Sequence, residues 1–326
     1  MRVLAAERRE LIDALVAEAD IGDVTAGLLE KDEHLTAALQ AVFELRFEHA
    51  VLVFCGGTSL SKAHGLIERM SEDADIKVVL SVAAATWSNN QLRRYLGDEV
   101  RGQVVNALNA IGLVEDENAR RSLNDNQYLH SQWIYQRTYD GIAALRPNLQ
   151  LELTTRTTVL PTETALLGTL ANKLAGQTGA TFSASVASVS ETLAEKVLSF
   201  LRRLAQNRAG VMQQPWDTAL VRHIYNVHCI VSQRPTAINN AMTAFSLLTA
   251  SDVSEFGYQD PNFQKEPKAT LSNALNQLGN DAQTRDEYQR VLLPLIYGKG
   301  RFSYSEALGS FNNAAQQLLN SLQGQR

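Results

Sequence analysis

The 326-residue chain is 45% hydrophobic, enough to bury a large core, and its length favours two domains over one. Its 30 basic and 35 acidic residues give a formal charge of −5, which excludes a protein held to nucleic acid mainly by phosphate contacts, so any RNA or DNA contact is local. Two distant cysteines, Cys55 and Cys229, suggest neither a disulfide framework nor a zinc site and point to a reducing, cytoplasmic setting. The opening residues mix acids into their apolar positions, so neither export nor membrane insertion is expected. Leu4, Leu11, Ile12, Leu15 and Val16 recur at helical spacing, and a second such run covers Leu35 to Phe47, predicting two lead helices. The run VLVFC after Ala50 is a buried strand ended by Gly56 and Gly57. A helix is expected over Ser59 to Met70, with Leu60, Ala63, Ile67 and Met70 on its apolar face. The segment ADIKVVL reads as a strand, Ser88 to about Ile111 as a long helical stretch, and QWIYQRTY and NLQLELTTR as further β segments. In the last of these, Leu149, Leu151 and Leu153 alternate with Gln150, Glu152 and Thr154, as in a half-buried strand.

Beyond Pro161 the composition shifts to helix formers. Helices are predicted over Glu191 to Gln206, Trp216 to Ser232, Thr236 to Leu248, Thr284 to Ile296 and Ser303 to Leu322. The small, polar stretch TGATFSASVASVS is a linker, a loop or an edge strand. The expected division is an α/β domain over 1–160, with the two lead helices, and a mostly helical domain over 161–326.

Asp73 and Asp75 stand two positions apart at the start of a strand, so their side chains leave the same face with Cα atoms roughly 6.6 Å apart. That spacing lets one pair bridge two metal ions. Glu152 faces away from the leucines of its own strand and supplies a third carboxylate if the two strands are neighbours. An isolated Asp-x-Asp is more often a solvated pair at a strand end. Upstream, Gly56 and Gly57 lead to Thr58, Ser59 and Lys62 at a helix start, where free N–H groups and the helix dipole favour phosphate oxygens. No Gly-Lys-Ser/Thr closes this turn, so it is not a Walker loop, and a lone Gly-Gly before a helix is usually only a turn.

Taken as one run, FCGGTSLSKAHGLIERMSEDADIKV resembles the core of the AbiEii/AbiGii-type nucleotidyltransferase toxins: a strand, Gly-Gly-Thr-x-Leu-x-Lys, a short helix, then Ser-Glu-Asp-x-Asp. Gly56, Gly57, Thr58, Leu60, Lys62, Ser71, Glu72, Asp73 and Asp75 match that pattern. The segment ETLAEKVLSFLRR resembles the family's Lys-x-x-Ala-x-x-x-Arg helix, with Lys196 and Arg203 in place and Ser199 where alanine is usual. VRHIYNVHCI resembles a third family helix, with Arg222, His223 and Tyr225 in place but Asn226 where an aspartate is expected.

The resemblance implies an α+β fold, with a polymerase-β-like nucleotidyltransferase core (a small mixed sheet flanked by helices) followed by a mostly helical C-terminal domain. It implies a cytoplasmic enzyme of the EC 2.7.7 type. This would be the toxin of a type IV, AbiE-like toxin–antitoxin pair linked to phage abortive infection, with a cognate antitoxin as partner. Nucleoside triphosphate is the implied substrate, Mg2+ or Mn2+ the cofactor, and a tRNA 3′ end or another RNA an acceptor. On that reading Asp73, Asp75 and Glu152 hold the metal. Gly56, Gly57, Thr58, Ser59, Lys62, Lys196 and Arg203 hold the nucleotide in a cleft between the two domains, with Asp73, Asp75 and Lys196 catalytic. The alternative, motivated by Asn226, is a nucleotide-binding interaction module with impaired turnover, because an amide can neither act as a general base nor rival a carboxylate as a metal ligand. His223 and His228 are candidates to compensate, although a histidine on an amphipathic helix is more often structural.

Overall fold

The computed structural model describes residues 1–18, 21–71, 73–141, 145–212, 214–279, 281–298 and 300–322. The chain divides into two compact units. The first comprises Met1–Thr158, Thr162–Ala187 and Tyr297–Lys299, and the second Val159–Pro161, Ser188–Ile296 and Gly300–Arg326. The main division therefore falls after Ala187 and not at Pro161. The reason lies in the segment that follows Pro161, which pairs into the sheet of the first unit.

The first unit holds, in chain order, α1 (Ala6–Glu18), α2 (Ala26–Phe43), β1 (Ala50–Cys55), α3 (Gly56–Lys62) and β2 (Asp73–Leu80). Next come α4 (Asn89–Arg94) and α5 (Gly102–Ala110), joined by a widened turn at Tyr95–Arg101, then β3 (Val114–Glu115), β4 (Arg121–Leu123), β5 (Tyr128–Ile134) and β6 (Leu149–Thr154). It closes with β7 (Glu163–Leu167), α6 (Leu170–Leu174) and β8 (Phe182–Val186). The strands form one mixed sheet in the order β3-β5-β6-β2-β1-β8-β7, with β4 paired to β5. At eight strands it is larger than the small sheet expected. Strand β2 lies antiparallel to β1 and parallel to β6. The run TGATFSASVASVS supplies β8, which sits between β1 and β7, so it is neither linker nor edge.

One face of the sheet packs Leu52, Phe54, Ala74, Ile76, Val78, Leu151 and Leu153 against α2 and α5. Burying such apolar side chains is the main stabilising term of this unit. Helices α2 and α3 are among those that differ from expectation. Helix α2 starts nine residues earlier than the apolar run, at Ala26, where the Thr25 hydroxyl caps the Leu28 N–H. Its turn Glu30–His34 carries five polar residues that are all buried, so apolar spacing could not reveal it. The partners explain that burial. Glu30 accepts from the Thr138 and Tyr139 N–H groups at 2.7 and 3.1 Å, and Lys31 donates to the Arg146 carbonyl at 2.7 Å. Glu33 pairs with Arg8.

Helix α3 ends at Lys62, not near Met70. The chain turns at Gly65, whose φ of +64° suits glycine, and the Leu66 N–H returns to the Leu60 carbonyl at 2.8 Å. Ile67 and Met70 are buried without being helical.

The second unit is helical: α7 (Val189–Ala209), α8 (Arg222–Gln233), α9 (Ala237–Phe256), α10 (Pro261–Lys265), α11 (Pro267–Leu278), α12 (Ala282–Glu287) and α13 (Tyr304–Ser321). Helix α7 is capped by Ser188 at its start and by Gly210, with φ +68°, at its end. It packs on α8, α9 and α11 through Leu193, Val197, Phe200 and Leu204, as its apolar spacing predicts. Arg202 of α7 reaches Asp252 of α9 at 2.9 Å. Helices α10 and α11 were not expected, because each begins at a proline, which suits the first helical turn but reads as a break.

Candidate active site

Strand β2 lies near the middle of the sheet, and its alternation sends Ala74, Ile76 and Val78 into the core while Asp73, Asp75 and Lys77 take the other face. Asp75 stands in register with Glu152 of β6 and with Cys55 of β1. Register partners on neighbouring strands project to the same side, with backbones about 4.8 Å apart. Asp75 and Glu152 are thus adjacent carboxylates on the face opposite the main core. Tyr128 of β5 shares this face, two positions along its strand from His130, the register partner of Glu152. Burial raises the Tyr128 pKa well above the ordinary tyrosine range, and the negative charges of Glu152 and Asp75 push the same way, so the phenol stays a proton donor.

Gly56 joins this acidic group to α3. Its φ is +76°, and a Cβ there would lie 1.8 Å from Asp75 Oδ2. Glycine is needed both for the backbone conformation and for the carboxylate packed against it. Asp75 therefore lies at the start of α3, on the side of the helix where the dipole is positive.

The hydroxyls at this turn face inward. Thr58 Oγ1 lies 2.7 Å from Ser71 Oγ and also meets the Asp73 carbonyl, while Ser59 donates to the Gly56 carbonyl at 3.0 Å. Both residues and Gly57 are buried. These bonds brace the Gly-Gly turn against the entry of β2, so what Thr58 and Ser59 have left for a phosphate is backbone N–H. Glu72 lies outside the described residues. Lys62 is also engaged, since its ammonium lies 2.6 Å from Asp32 of α2 and 3.3 Å from the Gly168 carbonyl, with side-chain exposures of only 6% and 7% for the ion pair. Asp32 in turn accepts the Leu170 N–H at the start of α6 at 2.6 Å. The pair lines a cleft of about 550 Å³ in the first unit, together with Thr58, Ser61, Arg69 and Ser71.

Asp73, on the same face of β2 as Asp75, is engaged by an arginine. Its Oδ1 is held by Arg146 Nη1 at 3.1 Å, and the same nitrogen reaches Gln150 Oε1. Gln150 is the register partner of Asp73 on β6, so the guanidinium bridges the two strands. Among the described residues no three acid, histidine or cysteine side chains form a ready cation cluster. The three carboxylates expected as metal ligands, Asp73, Asp75 and Glu152, lie on one face of the sheet. Same-face neighbours along a strand are a full repeat apart, and Arg146 engages one of them. The donor chemistry nevertheless suits magnesium or manganese, because magnesium binds through one or two carboxylates plus substrate phosphates and does not require an all-protein cage.

The remaining expected residues lie in the second unit. Lys196, Ser199 and Arg203 are half-buried along one side of α7. Arg203 Nη1 lies 4.0 Å from Asp217, and His223 Nδ1 lies 3.2 Å from the Lys196 carbonyl. Asn226 is buried on α8. His228 bonds Ser310 at 2.8 Å, packs on the Phe302 ring at 4.2 Å and has its pKa lowered by burial, all signs of a structural residue.

Sequence reasoning passed over Tyr128, Arg146 and Asp32. The alternation of YLHSQWI could have put Tyr128 on the polar face of its strand, whereas no local pattern marks Arg146 or Asp32.

Among the described residues, no helix is long and apolar enough to cross a membrane. No curated protein matches the chain. Among solved structures it is similar to MenT4, nucleotidyltransferase toxin Rv2826c from Mycobacterium tuberculosis H37Rv, at 17% identity over 83% of this chain and 99% of that one, with a TM-score of 0.40. The profile described as nucleotidyl transferase AbiEii toxin, type IV TA system, matches residues 37–316, spanning the glycine turn, both acidic strands and most of the second unit. The chain therefore belongs to the AbiEii family of nucleotidyl transferase toxins from type IV toxin–antitoxin systems.

Proposed function

We propose that the acidic face of the first unit is the site of nucleotidyl transfer from a nucleoside triphosphate to an acceptor hydroxyl, with a tRNA 3′ end as the acceptor class and Mg2+ or Mn2+ as cofactor. The acceptor oxygen forms a bond to the α-phosphorus, the bond between the α-phosphorus and its bridging oxygen breaks, pyrophosphate departs and the acceptor proton passes to solvent. The observation that carries the reading is the register pair Asp75 and Glu152, with Asp75 packed on Gly56 at the start of α3. A bound divalent cation would neutralise charge on the phosphate oxygens. Asp73, Asp75 and Glu152 would hold it. The N–H groups of Gly56, Gly57, Thr58 and Ser59 favour phosphate oxygens. Roles for Lys62, Lys196 and Arg203 at the nucleotide rest on the family motif. A cognate antitoxin is the partner that a toxin of this family implies.

The test is incubation of the protein with each labelled nucleoside triphosphate, Mg2+ and total RNA. Labelled RNA, lost with Asp73→Ala or Asp75→Asn at unchanged melting temperature, is the expected result. Transfer that survives both substitutions would remove the acidic face from the reaction. Binding of nucleotide without any transfer would favour the impaired module, for which Asn226 in place of the family aspartate is the motive.

A further inference from the structure

We propose that Arg146 is a positioning residue of the acidic face, whose guanidinium competes with a divalent cation for the Asp73 carboxylate and so sets the cation affinity of the site. This rests on the reading of Asp73 as a cation ligand. The arginine is held at both ends. The buried ammonium of Lys31 donates to its carbonyl at 2.7 Å, which ties its backbone to α2. Its Nη1 reaches Gln150, a buried side chain, and Asp73 Oδ1 at 3.1 Å. Because Gln150 and Asp73 are register partners, one nitrogen satisfies acceptors on both strands at once.

The Asp73 and Arg146 side chains keep 28% and 46% of their surface exposed, so an ion from solvent can reach the carboxylate. A cation taking Asp73 must break the Arg146 contact or share the carboxylate with a like charge. Both alternatives weaken cation binding. The cation and the Asp73–Arg146 pair are therefore thermodynamically linked, and displacing the arginine lowers the cation affinity by the strength of that pair. For an exposed pair this is a small factor.

The experiment titrates Mn2+ into the full-length protein without nucleotide and follows free Mn2+ by electron paramagnetic resonance, comparing wild type with Arg146→Gln, Arg146→Lys, Arg94→Gln and Asp73→Asn. Melting curves verify folding. Arg146→Gln is expected to bind Mn2+ roughly threefold more tightly, the scale of an exposed ion pair. Arg146→Lys, which keeps the charge, should stay near wild type. Arg94→Gln controls for net charge: Arg94 is exposed on α4, which packs on the opposite face of the sheet, and its removal should change nothing. Unchanged or weaker binding in Arg146→Gln overturns the proposal, as does equal tightening in Arg94→Gln. If Asp73→Asn loses affinity while Arg146→Gln is unchanged, only this inference fails. If Asp73→Asn binds Mn2+ like wild type, the cation-ligand reading of Asp73 fails and this inference falls with it.

Discussion

Asp75 and Glu152 occupy one register position on the adjacent parallel strands β2 and β6, and Tyr128 of β5 shares their face of the sheet, its phenol kept a proton donor by burial and by their charges. Two carboxylates on neighbouring strands repel unless a proton donor or a cation lies between or beside them. Tyr128 supplies the donor. Tyr128→Phe is therefore expected to leave the fold within about 1 kcal/mol of wild type and to lower transfer about 10–100-fold, as loss of an orienting partner of an active-site carboxylate does. Transfer kinetics alongside chemical denaturation check both numbers. Wild-type rates would mean that Glu152 needs no orientation.

Gly56→Ala should destabilise the first unit by about 1–3 kcal/mol and remove transfer together with it. A methyl group at φ +76° is strained, and it would meet the Asp75 carboxylate. Gly176 is the comparison: its φ is +62° but open space surrounds it, so Gly176→Ala pays only the backbone term. Denaturation midpoints that fall equally for both variants would show that Asp75 does not crowd Gly56.

The Lys62–Asp32 pair separates a structural role from a nucleotide-binding one. Removing one member of a buried ion pair leaves the other uncompensated, so Lys62→Met is expected to cost about 3–5 kcal/mol. The double variant Lys62→Met with Asp32→Asn should lose less than the sum of the singles, which a double-mutant cycle on melting data reads directly. If Lys62→Met melts like wild type yet binds nucleotide more weakly, the lysine belongs to the phosphate site and the ion pair is incidental.

Within α7, Lys196→Ala should weaken nucleotide binding or turnover more than Arg203→Ala does. A flexible ammonium follows a polyphosphate as a point charge, whereas Arg203 lies two turns along and has Asp217 at 4.0 Å. Steady-state kinetics of the two variants decide the ranking, and equal losses would contradict it.

His34 predicts an acid limb in stability. Its ring is buried against Tyr135 at 4.1 Å, with the Glu30 carboxylate 4.0 Å away, and burial followed by the Arg2 charge lowers its pKa to about 4. Between about pH 6.5 and 4 the unfolded chain binds a proton at this position that the folded chain refuses. Stability from this group is full above pH 6.5 and falls as the pH drops to about 4, by about 3 kcal/mol in total. His34→Leu should flatten that limb in urea unfolding measured across the interval. An unchanged slope would assign it to other groups.

The sequence by itself determined the elements that carry chemistry locally. The strand Ala50–Cys55 with its glycine turn, the Asp-x-Asp at the head of the next strand, the alternating LQLEL and the apolar side of α7 are all written in spacings of a few residues, because side-chain direction follows backbone period. The α+β class and the family followed from those segments. What only the tertiary structure decided are relations between residues far apart in the chain. The parallel register that sets Asp75 beside Glu152, the bridge from Arg146 to Asp73 and the pairing of Lys62 with Asp32 each depend on packing that no local period encodes. The buried polar turn Glu30–His34 shows the reason most clearly. Its charges look solvated in sequence, and they are satisfied by N–H groups, a carbonyl and side chains contributed from elsewhere in the first unit. The segment after Pro161 is the same case at larger scale: its short, small residues carry little propensity, and they become β8 because pairing with β1 and β7 satisfies their backbone.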